Sequence, residues 1–317
     1  MALSSAFLAE LERLTPVRRN EPLARHTTMA IGGPAEAYVE AHDCDRLAAV
    51  AALAQREGVA LFLLGGGSNL LVSDAGLEGL VVETWSNVDA LTGHPPAPVA
   101  GSGAVRLHAF CGVPLPRLAH QTAKAGLSGI EWAAGIPGTV GGGIVNNAGA
   151  HGGCMADTVR QVHVLRDGRA ERLSAAEVGF TYRHTNFRGV WAAQHPAVVI
   201  LAAELELQPA APTTCEHRVQ ECVEYRRATQ PAQRSVGSIF KNPPGNAAGR
   251  LIEQTGLKGA TSGDAEISTV HANFIVNRGR ATARDVNALV ALAQQRVYEQ
   301  FGVTLELEIQ RVGTHDA

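Results

Sequence analysis

The sequence has no apolar run near the ~20 residues needed to cross a bilayer, so a membrane-spanning helix is excluded. It also lacks any excess of one charge. Lys and Arg number 27 against 30 Asp and Glu, a net charge of −3, which leaves no global field for nucleic acid or a membrane surface. Cysteine is sparse and scattered: Cys44, Cys111, Cys154, Cys215 and Cys222 form no C-x-x-C pair and no metal-type spacing. They read as reduced thiols of a cytosolic protein, and no metal site is expected. The N-terminal "MALSSAFLAELERL" has no basic leader and carries Glu10 and Glu12 among its apolar residues. That pattern is a short amphipathic helix rather than a signal peptide, so the protein is expected in the cytoplasm. No internal repeat or low-complexity tract occurs.

What the sequence has in abundance is glycine. There are 34 among 317 residues, against a usual frequency of about 7%, and they cluster. The length suits two or three modules. Helical spacing appears over 45–58, 113–126, 216–228, about 246–255 and 282–300; strand patterns appear in the apolar run before the first glycine turn, in a second short strand after it, and over 79–84, 160–174, 195–207, 268–277 and 303–313. The Asp-Gly in "LRDGRAE" marks a hairpin. "QPAAPTTCEH" (208–217) interrupts both periodicities and marks a boundary. Strands and helices mix without regular βαβ alternation, which gives an α+β class.

The first cluster, "LLGGGSNLL", departs from a dinucleotide fingerprint. Leu70 stands where the third glycine of G-x-G-x-x-G belongs, and "LLVSD" after it reads as strand rather than helix. A glycine loop between strands can still cradle an anion with successive amides; a tight turn with no ligand explains it as well. The second cluster, "AAGIPGTVGGGIVNNAG", has Gly135, Gly138, Gly141, Gly142 and Gly143 in close succession. A segment so stripped of side chains points to a large flat ligand or another backbone lying against it, in preference to a glycine-rich helix packed on a sheet. Two such clusters suggest one long cofactor held at both ends.

A third stretch, "SVGSIFKNP" (235–243), sets Ser238 between a glycine and a bulky apolar pair. Alone it is compatible with a cap, a turn, a nucleophile or a proton donor. It lacks the G-x-S-x-G setting of a hydrolase nucleophile, although His184 and His271 are conceivable bases.

Together, "LLGGGSNLLVSD", "GIEWAAGIPGTVGGGIVNNAGAHG", "YRHTNF", "SVGSIFKNP", "AGRLIEQTGLKG", "HANFIVN" and "LELEIQRVG" resemble, in order, the motifs of the UDP-N-acetylenolpyruvoylglucosamine reductase family, over roughly residues 25–313. The resemblance implies a two-subdomain FAD-binding unit of the vanillyl-alcohol-oxidase type over 1–85 and 86–210. A smaller α+β substrate-binding domain over 211–302 follows, with a C-terminal strand within 303–317 returning to the FAD-binding body. It implies non-covalent FAD, with Gly65, Gly66, Gly67, Ser68 and Asn69 at the pyrophosphate. Ile136, Pro137, Gly138, Thr139, Gly142 and Gly149 belong to the same cofactor set, and "RHTTMAIGG" (25–33) lies on the adenine side. NADPH is implied as co-substrate and UDP-N-acetylglucosamine enolpyruvate as substrate, reduced to UDP-N-acetylmuramate by a monomer. The same match gives Ser238 as proton donor, Arg183 as stabilising the charge and Glu308 as completing the group, with Lys241, Asn242 and Arg226 as substrate contacts.

Two departures qualify it. Thr229 occupies a position where many members carry lysine, so Arg226 or Arg227 takes that role or the nucleotide is gripped differently. The connection after "YRHTNF" is too compact for the tyrosine-bearing substrate loop of one subclass, which assigns the chain to the shorter subclass. A related flavin oxidase and a flavin- or nucleotide-binding protein without turnover are the remaining alternatives.

Overall fold

The computed structural model describes residues 3–87, 91, 95–188 and 198–315; residues 195–197 of the expected 195–207 strand lie outside them. The chain forms two compact units. The larger comprises 1–19, 37–66 and 79–226, the smaller 20–36, 67–78 and 227–317.

The larger unit is built on an antiparallel run of strands in the order Arg169–Ser174, Val159–Arg166, Val199–Pro209, Val105–Phe110 and Ala97–Pro98. Along Val199–Pro209, Ala203, Leu205 and Leu207 are buried while Glu204 and Glu206 are partly exposed, the period-two alternation of a sheet with one dry face. Against that core pack helices whose apolar residues recur at helical spacing. Leu47, Val50, Ala51 and Ala54 of Cys44–Arg56 are buried, as are Leu115, Leu118, Ala119 and Thr122 of Leu115–Lys124. The first of these helices is capped by Asp43, whose carboxylate accepts from Arg46 N at 2.8 Å. The helix Ser5–Leu14 forms as its pattern predicts and buries Phe7 and Leu11. Parallel strands Leu61–Leu64 and Leu77–Glu83 flank the first glycine cluster. The Asp-Gly hairpin forms with both Asp167 and Gly168 at positive φ.

The helix Pro212–Thr229 buries Cys215 and Val219 in the core of the larger unit. The compact division therefore falls near residue 227 rather than at the expected boundary of 211. The smaller unit also takes two earlier segments that the 1–85 module was expected to keep. Met29, Ile31 and Leu71 share one core with Phe240, Ile252, Val286, Val290 and Ile309. Its sheet runs Arg234–Ser235, Ile275–Asn277, Ala265–Ile267 and Thr261–Ser262, all antiparallel. The helix Ala283–Phe301 covers this core, opened by a capping box between Thr282 and Asp285. The last strand is shorter than its alternating pattern predicts: only Gln310–Val312 forms a ladder, parallel to Leu70–Val72. The 268–277 strand is likewise reduced to Ile275–Asn277. There the Ser268 hydroxyl accepts from Val270 N at 3.1 Å, a local bond that competes with the ladder.

Candidate active site

In the larger unit the two glycine clusters lie against each other. A Cβ on Gly65 would come within 2.6 Å of Thr139 Oγ1, and one on Gly66 within 3.2 Å of Gly138 Cα. Thr139 is fixed there because it bridges to Pro114 and caps the helix Val140–Val145, accepting from Gly142 N at 3.4 Å. The second cluster is thus partly the glycine helix ranked lower from sequence. A Cβ on Gly141 would meet Cys111 Cβ at 3.0 Å, and one on Gly143 would meet Leu115 and Met155, so these two serve packing. Ile136 and Pro137 link a tight turn, Glu131–Gly135, to this helix. Ile136, Pro137, Gly138 and Gly142 keep partial or full exposure. They leave a side-chain-poor strip of backbone fit for a flat ring system.

Arg183 sits in the tight turn Thr181–His184, closed by Thr181 N to His184 O at 2.9 Å, with a left-handed φ of 54°. Its guanidinium donates to Gly149 O at 2.7 Å, so the expected charge-stabilising arginine and the expected cofactor residue Gly149 are in contact. Asn147 holds this turn from below: its amide donates to Thr181 O at 2.8 Å and its carbonyl accepts from Ala156 N at 3.1 Å. Sequence reasoning assigned Asn147 no role. A left-handed non-glycine residue costs about 1–2 kcal/mol, and such strain concentrates at functional sites.

Arg226 lies in this unit, not with the other basic residues of the C-terminal third. Its side chain covers Gly135, where a Cβ would meet Arg226 Cδ at 2.9 Å. Burial pushes its pKa down, and among the described residues no carboxylate pairs with it. A desolvated guanidinium without a counter-ion is costly unless an anion arrives. Arg227 falls in the smaller unit.

The smaller unit holds the serine loop. Val236, Ile239 and Phe240 are buried and fasten the loop by about 1.5–3 kcal/mol of burial per large side chain. Ser238 between them stays partly exposed. Ser235 O accepts from Thr28 Oγ1 at 2.6 Å, and Ile239 N donates to Asn273 O at 2.9 Å. The segment before the last strand runs alongside: Lys241 N donates to Glu306 O at 2.9 Å, and Glu308 N donates to Ile239 O at 2.8 Å. Glu308 is therefore pinned to the residue that follows Ser238. Asn69 joins the same arrangement, its amide donating to Glu308 O at 3.3 Å and its carbonyl accepting from Gln310 N at 2.9 Å. Gly67, at φ 58°, accepts from Thr28 N at 3.2 Å, which ties the end of the first glycine cluster to "RHTTMAIGG". Ser68 beside it is half-buried. The strand Leu70–Val72 after this loop confirms that no helix opens there.

Ser238 opens onto a cavity of about 280 Å³ whose walls include Asn242, Arg250, Glu253, His271 and Asn273. Asn242 Oδ1 accepts from Ala248 N at 3.0 Å, at the start of the helix Ala248–Gln254. Lys241 pairs with the exposed Glu306, at 3.4 Å. His271 shares the cavity, but its Nδ1 accepts the Asn273 N–H at 3.2 Å. Burial, with Lys258 acting the same way, holds its pKa below the ordinary imidazole value. The nitrogen that accepts this backbone N–H is committed to Asn273 rather than to Ser238. Ser238 makes no hydrogen bond to an imidazole among the described residues, so the acyl-transfer alternative lacks its serine–histidine pair there.

A strip of backbone poor in side chains, as in the larger unit, can lie against a flat ring system, and similarity to known proteins assigns the chain to the FAD-dependent oxidoreductases. The family model described as an FAD binding domain matches residues 35–174. A second model, UDP-N-acetylenolpyruvoylglucosamine reductase C-terminal domain, matches 230–312. The chain is 47% identical over 296 residues to UDP-N-acetylenolpyruvoylglucosamine reductase 2 of Symbiobacterium thermophilum, covering 93% of this chain and 91% of the relative. It is 43% identical to the reductase of Moorella thermoacetica, over 93% of this chain and 92% of that one. The crystal structure of the Thermus caldophilus reductase superposes with a TM-score of 0.75 at 36% identity, covering 94% of this chain and 100% of that one. The chain belongs to the UDP-N-acetylenolpyruvoylglucosamine reductase family. No described helix is long and apolar enough to cross a membrane.

Proposed function

We propose that the protein, acting as a cytoplasmic monomer, reduces the enolpyruvyl group of UDP-N-acetylglucosamine enolpyruvate to UDP-N-acetylmuramate for peptidoglycan synthesis, with NADPH as the hydride source. Bound non-covalently, FAD supplies the hydride relay between NADPH and the terminal enolpyruvyl carbon. The residues of the chain then have three tasks. Gly65 to Asn69 offer backbone amides to a diphosphate, and the strip from Ile136 to Thr139 with Gly142 and Gly149 supports a flat ring.

The second task is charge. Hydride addition leaves negative charge on the adjacent carbon and its carboxylate, and Arg183, held rigid by Asn147 and Gly149, stabilises it. The third is the proton. Ser238 delivers its hydroxyl proton to that carbon, with Glu308 completing the group; the hydroxyl is a weak acid, so the acceptor must be a strongly basic carbanion-like centre. Lys241, Asn242 and Arg226 take the nucleotide and its diphosphate, and Arg226 stands in for the lysine replaced by Thr229.

The observation that carries this reading is the 2.8 Å bond from Glu308 N to Ile239 O, which sets two expected catalytic residues, 70 positions apart in sequence, in one paired segment. The test is a two-step anaerobic titration of the purified flavoprotein. NADPH should bleach the flavin, and UDP-N-acetylglucosamine enolpyruvate should restore its colour with formation of UDP-N-acetylmuramate. Ser238→Ala should leave the bleaching nearly intact and slow the recovery. Collapse of the NADPH step in that variant would overturn the role of the serine, and recovery only with oxygen would indicate an oxidase.

A further inference from the structure

The partly exposed face of the large sheet carries three side chains that none of this chemistry uses. His108, Glu204 and His163 stand on three adjacent strands, Val105–Phe110, Val199–Pro209 and Val159–Arg166. Glu204 lies directly opposite His108 in the ladder. On its other side Gln161 is the residue opposite Glu204, with His163 opposite Ala202, so His163 reaches Glu204 along the diagonal. Cross-strand neighbours in these positions are close enough for side chains to meet. The ligand-capable atoms of the three residues all lie within 4.8 Å of one another. His163 Nε2 is 3.0 Å from Glu204 Oε1, and the two imidazole rings meet edge to face with centroids 4.9 Å apart.

We infer that His108, His163 and Glu204 form a binding site for a borderline-soft divalent cation of the zinc type. Two imidazole nitrogens and one carboxylate oxygen suit zinc and its late first-row neighbours, and they disfavour magnesium and calcium, which prefer all-oxygen shells. Bond lengths of about 2.0–2.2 Å set tetrahedral ligand atoms about 3.4 Å apart. Atoms already within 4.8 Å reach that spacing by small side-chain rotations, with no change of strand register. His163 and Glu204 side chains are 21% and 16% exposed, so solvent can enter and supply the fourth ligand.

The competing use of Glu204 is its ion pair with Arg106, at 3.7 Å. Arg106 has a second and nearer carboxylate, Glu206 at 3.4 Å. Turning Glu204 toward a metal therefore leaves no guanidinium stranded. The bound cation ties together three strands of the sheet, so its measurable effect is on stability and not on turnover.

The experiment uses the flavin-loaded protein, stripped with a chelator and dialysed against zinc chloride. Retained zinc is measured by mass spectrometry, and its neighbours by X-ray absorption. The expected result is one zinc per chain with imidazole and carboxylate ligation, and a rise in Tm on adding zinc. Glu204→Gln preserves shape and both imidazoles but replaces the carboxylate ligand by a neutral amide, so it should weaken binding by at least the roughly tenfold that loss of an outer-shell partner costs and reduce the Tm rise. His163→Ala should do the same while flavin content and the circular dichroism spectrum stay unchanged. The inference is overturned if no zinc is retained, if Glu204→Gln binds it as tightly as the parent, or if the absorption spectrum shows thiolate ligands.

Discussion

Asn273 and Phe240 exchange a reciprocal pair of hydrogen bonds: Phe240 N donates to Asn273 Oδ1 at 2.9 Å, and Asn273 Nδ2 donates to Phe240 O at 2.8 Å. Both residues are buried, at 3% and 2% exposure. With Ile239 N bonded to the Asn273 carbonyl, one residue satisfies three backbone groups immediately after Ser238. Asn273→Ala should therefore leave both Phe240 groups unpaired, at about 1–3 kcal/mol each, and loosen the serine. Urea unfolding should show that loss, and reoxidation of the reduced flavin by substrate should slow more than its reduction by NADPH. Asn273→Asp, which keeps the acceptor but not the donor, should fall between. Unchanged stability in the alanine variant would remove Asn273 from this role.

Arg226 predicts an opposition between stability and binding. Its guanidinium is desolvated and lacks a carboxylate partner among the described residues, so Arg226→Met should leave the ligand-free protein at least as stable as the parent. The same change should weaken an anionic ligand by roughly tenfold or more, since a charge-assisted hydrogen bond contributes about 1.5–3 kcal/mol. Calorimetric titration with UDP and measurement of flavin retention distinguish substrate from cofactor as the anion served. A variant that loses stability and keeps both affinities would show that Arg226 is structural.

The local elements were legible because their signals are short-range. The helical spacing of 45–58 and 282–300, the Asp167-Gly168 hairpin signal and the strand run over 195–207 each lie within a few residues of sequence. The glycine clusters told of close approach but not of what approaches. Gly65 and Gly66 face Thr139 and Gly138, a contact between segments some 70 residues apart that no local pattern encodes. The ladder assignments failed where tertiary pairing took over. The 303–313 segment has strand alternation along its length, yet Leu307 bridges Phe240 before the ladder to Leu70–Val72 begins. The compact division near 227 differs from the boundary expected near 211 for a related reason. "QPAAPTT" does end a strand, but whether the next helix joins one core or another depends on where Cys215 and Val219 are buried.

Gly67 should prove the least replaceable residue of the first cluster. An added Cβ would lie 2.1 Å from His26 O, and the backbone is left-handed at φ 58°. Gly67→Ala combines about 1–2 kcal/mol of conformational cost with a clash against main chain that cannot rotate away. Gly58→Ala shares the left-handed φ, at 63°, but meets nothing within 4 Å. The first variant should lower stability markedly more than the second and reduce flavin retention, as read by urea unfolding and the ratio of flavin to protein absorbance. Equal effects would mean that the contact with His26 is relieved at little cost.

His271 gives the protein a pH dependence of known sign. Burial, then Lys258, depress its pKa, with Glu253 and a backbone hydrogen bond opposing, and its Nδ1 is committed to the Asn273 N–H. The unfolded chain takes up a proton at this side chain near pH 6.5, about the ordinary imidazole value, and the native chain only at lower pH. Between those two values the unfolded state holds more protons, so stability must fall as pH falls. The contribution is fully present above about pH 6.5 and is lost as pH drops through the native pKa. His271→Gln, whose carbonyl can still accept from Asn273 N, should flatten this part of the profile. Unfolding free energies of parent and variant at about pH 7.5 and about pH 5 provide the comparison, and nitrogen NMR of the parent should report the Nε2–H tautomer at the higher pH. Parallel losses in the two proteins, or an Nδ1–H tautomer, would show that the Asn273 amide does not hold the imidazole neutral.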